Sequence, residues 1–178
     1  MGCGLIQAGF EIVGANEFDA YAAISYLVNL GTYPVQIHYL DGEAGKERLD
    51  KAVARSWGLK KKYNGKLTSE VLKKAFGTEI VTREPIIAGS GWIKNTNHPG
   101  VKNFWFGDIH KLKGQEVLDT LGLRQGDLDL VAGGPPCQGY SKAGKQQIDD
   151  PRNALVYEYA RLILELQPKT FSMEEFPD

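Results

Sequence analysis

Short apolar runs alternate along this chain with longer stretches in which apolar positions recur every three or four residues. The first pattern predicts strands and the second amphipathic helices. Residues 1–10 read as the end of a helix, with Leu5, Ile6 and Ala8 apolar and Gly9 a natural stop. Residues 11–16 form a short apolar strand that ends at Glu17-Phe18-Asp19. Asp19 is placed to cap the next helix, which runs to about residue 30 with Tyr21, Ile24, Leu27 and Val28 inward. Residues 34–39 read as another strand. Helices are expected near 43–57 and 68–76, then an extended, turn-rich stretch over 80–91 and a loop over 95–100. The aromatic run 103–106 reads as a buried strand, and a helix is expected near 114–121. A strand over 128–132 follows. Asp150 caps the next helix and Pro151 sits in its first turn; Val156, Tyr159, Ala160, Ile163 and Leu166 make its apolar face, and Gln167-Pro168 ends it. Residues 170–174 are the last strand. This alternation predicts an α/β fold, a doubly wound and mostly parallel sheet with ligands along one edge.

Composition narrows the class. At 178 residues the chain is long enough for one domain with a real core. No apolar run is long enough to span a membrane and the N-terminus lacks a signal-peptide pattern, so a cytoplasmic protein without membrane contact is expected. Cys3 and Cys137 are too few and too distant to suggest a disulfide framework. His38, His98 and His110 show no metal-ligand spacing, so no metal is expected and they read as structural or exposed. Net charge is −1, but its distribution is uneven. Between Lys46 and Lys74 ten Lys/Arg stand against Glu47, Asp50 and Glu70, a local balance of +7 that leaves −8 on the remainder. A basic segment on an acidic body suits a phosphate-binding patch, and a solvated helical face has the same composition. Trp57, Tyr63 and Trp92 lie among or near these basic residues. Basic plus aromatic fits nucleic-acid contact, and equally a small core of the segment's own.

The chemistry concentrates in Asp129-Leu-Val-Ala-Gly-Gly-Pro-Pro-Cys-Gln-Gly-Tyr-Ser141. An apolar strand ends in Gly133 and Gly134, which turn freely, and Pro135 and Pro136, which stiffen the turn. The effect is to hold one thiol, Cys137, at the carboxyl end of a strand, where open α/β sheets place ligands. A free cysteine has a pKa of roughly 8.5, so the thiolate needs help to form at neutral pH. On spacing alone, Cys137 reads equally as a poised nucleophile or a buried small hydrophobe. Three acids fall at other strand ends. Glu17 stands where nucleotide-binding α/β proteins hold ribose hydroxyls, although a lone acid there is more often a surface charge. Asp108 reads as a ligand or a helix cap, and Glu174 alone as a salt-bridged strand-end acid. Gly2-Cys-Gly4 imitates a glycine-rich nucleotide loop, but no strand precedes it.

Residues 133–141, Gly-Gly-Pro-Pro-Cys-Gln-Gly-Tyr-Ser, closely resemble the Pro-Cys motif of the DNA (cytosine-5) methyltransferases. Residues 7–23, Gln-Ala-Gly-Phe-Glu-Ile-Val-Gly-Ala-Asn-Glu-Phe-Asp-Ala-Tyr-Ala-Ala, look like that family's stretch joining its first helix to its second strand. Gly107-Asp-Ile109, the Asp-x-Arg…Leu pattern ending at Leu155, and Met173-Glu174 match further family segments in order. The resemblance implies a Rossmann-like, S-adenosylmethionine-dependent methyltransferase fold and transfer of a methyl group to carbon 5 of cytosine in DNA, with S-adenosylhomocysteine as product. It implies that Cys137 and Glu174 are catalytic. Glu17 would hold the cofactor's ribose, Phe18 and Ile109 would flank its adenine, and Asp108 would bond the adenine amino group. Pro136 and Leu155 would complete the cofactor site, while Gln138 and Ser141 would touch the DNA.

The family's pattern is not complete here. Glu175-Phe176 stand where the family has Asn-Val, and the family's Asn braces the Pro-Cys loop. The family begins with a strand and a Phe-x-Gly-x-Gly-Gly loop, and continues to a Gln-x-Arg-x-Arg strand and a target recognition region. Residues 1–178 therefore read as an incomplete catalytic domain, truncated at both ends, with an insertion at about 40–102. The isolated chain is expected to bind S-adenosylmethionine weakly and to methylate poorly or not at all. It reads as a fragment, or as one subunit of a restriction-modification methyltransferase whose second subunit carries the missing motifs. Alternatives are a non-catalytic relative that binds DNA or a partner, an RNA cytosine methyltransferase, and a plain Rossmann-like nucleotide-binding domain.

Overall fold

The computed structural model describes residues 1–56, 100–135 and 154–174. The chain divides into two units, Met1–Asp108 and Ile109–Asp178. In the first, helix α1 (Gly2–Gln7) leads to strand β1 (Gly14–Glu17), helix α2 (Ala20–Leu30), strand β2 (Gly31–Tyr39), helix α3 (Gly42–Ser56) and strand β3 (Val101–Phe106). The three strands form one parallel sheet in the order β1-β3-β2. A central parallel strand is covered on both faces, which is why it is built from large apolar side chains. Val101, Phe104 and Phe106 are fully buried against Ala20, Ala23, Ile24 and Leu27 of α2 and Leu49 and Ala52 of α3.

The local signals act as expected at several points. The Asp19 carboxylate accepts from the backbone N–H groups of Tyr21 and Ala22, both at 2.9 Å, and starts α2. Tyr21 itself is a correction: it is 48% exposed. The inward stripe is Ala20, Ala23, Ile24, Leu27 and Leu30, and Tyr21 sits roughly 100° round the helix from Ala20. The side chain of Val28 is outside those described. β1 begins at Gly14 rather than at residue 11. A Cβ on Gly14 would stand 2.7 Å from the Trp105 ring, so glycine lets these neighbouring strands approach. β2 is longer than the pattern predicted and pairs with β3 across a register shift between Gly31 and Gln36. His38 is structural, as read: its ring stacks on Trp105 at 4.9 Å and shares a hydrogen bond with Asn103. Of the segment read as an insertion, residues 57–99 lie outside the described residues, and with them the helix expected over 68–76, Trp57, Tyr63, Trp92 and His98.

In the second unit a short 3-10 turn (Ile109–Lys111) precedes helix α4 (Gly114–Leu121), strand β4 (Leu130–Gly133), helix α5 (Ala154–Leu166) and strand β5 (Thr170–Met173). β4 and β5 pair in parallel, Leu130 beside Thr170 and Gly133 beside Met173. α4 ends on Gly122 in the left-handed region. On α5 the buried residues are Tyr159, Leu162 and Leu166. Ala160, expected inward, is exposed, and Val156 and Ile163 are half-buried. The helix rests on a narrow i, i+3, i+7 stripe rather than a broad face. Asp108 does not cap α4, and Lys113 stands there without a side-chain bond. The cap comes from far along the chain: Glu165 Oε2 accepts from the Gly114 N–H at 2.6 Å. Asp150 and Pro151 lie outside the described residues.

Candidate active site

The first unit gathers three of the expected residues at one sheet edge. Glu17 is the last residue of β1, and its Oε1 accepts from the N–H groups of Phe18 (2.8 Å) and Asp19 (2.9 Å). A carboxylate held by two backbone donors has a set direction before any ligand arrives. The Gly107 N–H donates to the Glu17 carbonyl at 3.0 Å, which ties the end of β3 to the end of β1. The Asn16 amide adds bonds to the carbonyls of Trp105 and Gly107. Gly107 has φ +137°, and a Cβ there would meet Leu40 at 2.9 Å. The residue must be glycine for the chain to turn under Leu40 and present Asp108, which is half-buried. Phe18 is 58% exposed, an aromatic ring left in water beside a fixed carboxylate.

The second unit places Glu174 directly after β5. Its N–H donates to the carbonyl of Gly133 at 2.9 Å, so the acid's backbone runs beside the first glycine of Gly-Gly-Pro-Pro-Cys. A Cβ on Gly134 would lie 3.6 Å from the Glu174 carbonyl oxygen. Beneath them the Tyr159 hydroxyl lies 3.0 Å from the Val131 carbonyl and 2.8 Å from that of Ser172, bridging β4 and β5. Ile109 opens the 3-10 turn. Arg161 of α5 holds that turn by donating to the carbonyls of Ile109 (3.1 Å) and Leu112 (2.9 Å). Leu155 is half-buried in the first described turn of α5. Pro136, Cys137, Gln138 and Ser141 lie outside the described residues, as do Glu175 and Phe176.

Three contributors escaped the sequence reading. Tyr159 was legible as apolar and inward, but not as a bridge between strands. Arg161 carried a signal in Glu158-x-x-Arg161-x-x-x-Glu165, acids three before and four after a base on one helix face; Arg161 bonds both at 2.7 Å. Arg48 stood among the basic residues read as a group. Its guanidinium lies 4.6 Å from the centre of the Phe18 ring.

Each unit holds a parallel sheet with an acid at or just beyond the end of a strand, Glu17 in the first and Glu174 in the second, where open α/β folds place their ligands. The sequence model of the C-5 cytosine-specific DNA methylase family matches residues 74–176, more than half of the chain, and the chain belongs to that family. The family assigns it the Rossmann-like fold of S-adenosylmethionine-dependent methyltransferases, of which the two parallel sheets are described parts. Relatives include the Type II methyltransferase M.XorII of Xanthomonas oryzae pv. oryzae, 48% identical over 61 residues, which are 34% of this chain and 14% of that protein. The Type II methyltransferase M.AquIA of Picosynechococcus sp. is 46% identical over 69 residues, 38% of this chain and 28% of the relative. M.SacI of Streptomyces achromogenes is 39% identical over 85 residues, 45% of this chain and 22% of the relative. The aligned stretches thus span 14% to 28% of these relatives' lengths. No solved structure matches the chain.

Proposed function

We propose that this chain acts in a DNA (cytosine-5)-methyltransferase of restriction-modification type, in the cytoplasm, with Cys137 as nucleophile and Glu174 as the acid at the base. The observation that carries the reading is the 2.9 Å bond from the Glu174 N–H to the Gly133 carbonyl. It sets the acid beside the glycines that lead, four residues on, to Cys137.

Carbon 5 of cytosine is too electron-poor to take a methyl group unaided. The Cys137 thiolate adds to carbon 6, a case of covalent catalysis. Glu174 holds a proton at ring nitrogen 3 and so stabilises the enamine that makes carbon 5 nucleophilic. After carbon 5 has gained its methyl group, it loses its proton, the bond to Cys137 breaks and the thiol is released. A stacked base is out of reach, so the target is flipped out at a cost of a few kcal/mol. Gln138 and Ser141 fill the gap and touch the backbone.

The first-unit edge suits an adenosyl group: a fixed carboxylate at Glu17 for ribose hydroxyls, an exposed ring at Phe18 for a purine, and Asp108 for its amino group. Ile109, Pro136 and Leu155 are proposed as further cofactor residues. S-adenosylmethionine, when bound, supplies an electrophilic methyl on a sulfonium and leaves as S-adenosylhomocysteine. A second subunit that carries the cofactor loop and the target recognition region is part of this proposal.

DNA containing 5-fluorocytosine tests this, because fluorine at carbon 5 blocks the final elimination and leaves the nucleophile covalently attached. An adduct on a denaturing gel, dependent on S-adenosylmethionine and abolished by Cys137→Ala, is expected from the chain supplied with the cofactor loop and recognition region in trans. An adduct that survives Cys137→Ala, or none under that condition, overturns the proposal. Competition by RNA rather than DNA would reassign the substrate.

A further inference from the structure

Lys51 and Arg55 of the basic stretch are exposed, but Arg48 does not behave as a solvated charge. Its side chain is 36% exposed, and its guanidinium lies between two rings, 4.6 Å from the centre of Phe18 and 4.7 Å from that of the fully buried Phe106. Nη2 donates to Asp41 Oδ2 at 3.2 Å. Nε is buried without a hydrogen-bond partner, a cost that a surface arginine avoids. Asp41 is itself placed: its Oδ2 lies 3.1 Å from where a Cβ of Gly107 would be. The corner between β2 and α3 thus packs on Gly107, immediately before Asp108, and on Phe18, immediately after Glu17.

Phe18 therefore has one face backed by a cation and substantial area open to water. A guanidinium stacked on one face of a ring holds the plane of that ring and draws its π density away from the other face. Both effects favour stacking of an electron-rich purine on the open side. Arg48 is too committed, to two rings and Asp41, to serve as a free phosphate contact.

We infer that Arg48 is a positioning residue for the adenosyl ligand, fixing the Phe18 ring so that its open face takes the purine beside the Glu17 carboxylate. The inference rests on the reading of Glu17 and Phe18 as cofactor residues. It gives the β2–α3 corner, part of which reads as an insertion, a share in the cofactor site.

Equilibrium binding of S-adenosylhomocysteine to the full chain supplied with the cofactor loop in trans, by titration calorimetry, tests it with Arg48→Met, Arg48→Lys and Glu17→Gln. Arg48→Met keeps the length of the side chain and loses charge and plane; affinity is expected to fall roughly 2- to 30-fold, the range of a cation–π contact. Arg48→Lys keeps the charge toward Asp41 but not the planar stack and should fall less, by about twofold or more. Methylthioadenosine, which shares only the nucleoside, should weaken by the same factor in each variant. With 4-fluorophenylalanine at position 18, the ligand-induced shift of the fluorine resonance should shrink in Arg48→Met, which a general loss of stability would not produce. If wild type binds and Glu17→Gln does not, while both Arg48 variants match wild type, this inference falls and the cofactor reading stands. Should Arg48→Met not fold, wild-type affinity in Arg48→Lys overturns the inference by itself. Absence of binding by wild type, or equal binding by Glu17→Gln, overturns both.

Discussion

The ring of Tyr159 occupies the space that a Cβ on Gly133 would need, with Cε2 standing 2.5 Å from that position. The same side chain uses its hydroxyl to bridge the Val131 and Ser172 carbonyls. One residue of α5 therefore supports both strands at the point where the Gly-Gly-Pro-Pro-Cys segment departs.

Gly133→Ala forces that ring, or β4, to move. Overpacking of this kind costs about 1–3 kcal/mol, to be read as a lower urea midpoint at unchanged slope. The rate of adduct formation on 5-fluorocytosine DNA should fall further than stability does, by on the order of 100-fold, because the displaced segment leads to the proposed nucleophile, Cys137.

Tyr159→Phe keeps the ring and removes the donor. The expected loss is about 1 kcal/mol, measured by thermal or urea unfolding. Burial raises the pKa of this hydroxyl, so the proton that makes the bridge stays in place throughout the neutral range.

Arg161 and Glu165 tie the Ile109–Lys111 turn and the start of α4 to α5. Arg161→Met strips donors from two carboxylates and two carbonyls, and a loss of about 1–3 kcal/mol is expected for hydrogen bonds to a charged group. The Gly114 N–H, and then Arg161, hold the Glu165 carboxyl below its ordinary value of 4.5. Below that value the unfolded chain takes up a proton that the folded chain still refuses. The stabilisation is thus present above about pH 4.5 and lost as pH falls through the folded value. In urea midpoints taken across the acid range, the gap between wild type and Glu165→Gln should close as pH drops.

Tyr26 and Tyr39 are both pushed up to about 12, each first by burial, then by Cys3 for Tyr26 and by Asp50 and Glu43 for Tyr39. Their neutral forms stabilise the fold up to the unfolded value of 10, and this contribution is lost as pH rises through about 12. Absorbance titration of the phenolates should show a late step that shrinks in Tyr26→Phe and in Tyr39→Phe.

Asp19→Ala removes both bonds at the start of α2. It should cost about 1 kcal/mol, and Asp19→Asn should recover most of that in the same unfolding assay.

Much of this protein was legible from the chain alone, because much of it is decided within a few residues. Asp19 caps its own helix, Gly122 ends α4, and the run Phe104-Trp-Phe106 is too apolar to lie anywhere but in a covered strand. Glu17, Asp108 and Glu174 fall at or just beyond strand ends for the same local reason, and the Pro-Cys string is contiguous, so both were readable. Tertiary structure decided what depends on partners far along the chain. Nothing local says that β3 inserts between β1 and β2, or that Tyr21 faces water while Ala20 and Ala23 face the core. Glu165 caps a helix 51 residues before it, and Tyr159 reaches a carbonyl 28 residues away. Arg48 became a stacked cation rather than a surface charge only when β3 brought Phe106 beside Phe18. A side chain's type limits what it can bond, but burial and partner are set by the chain that folds against it.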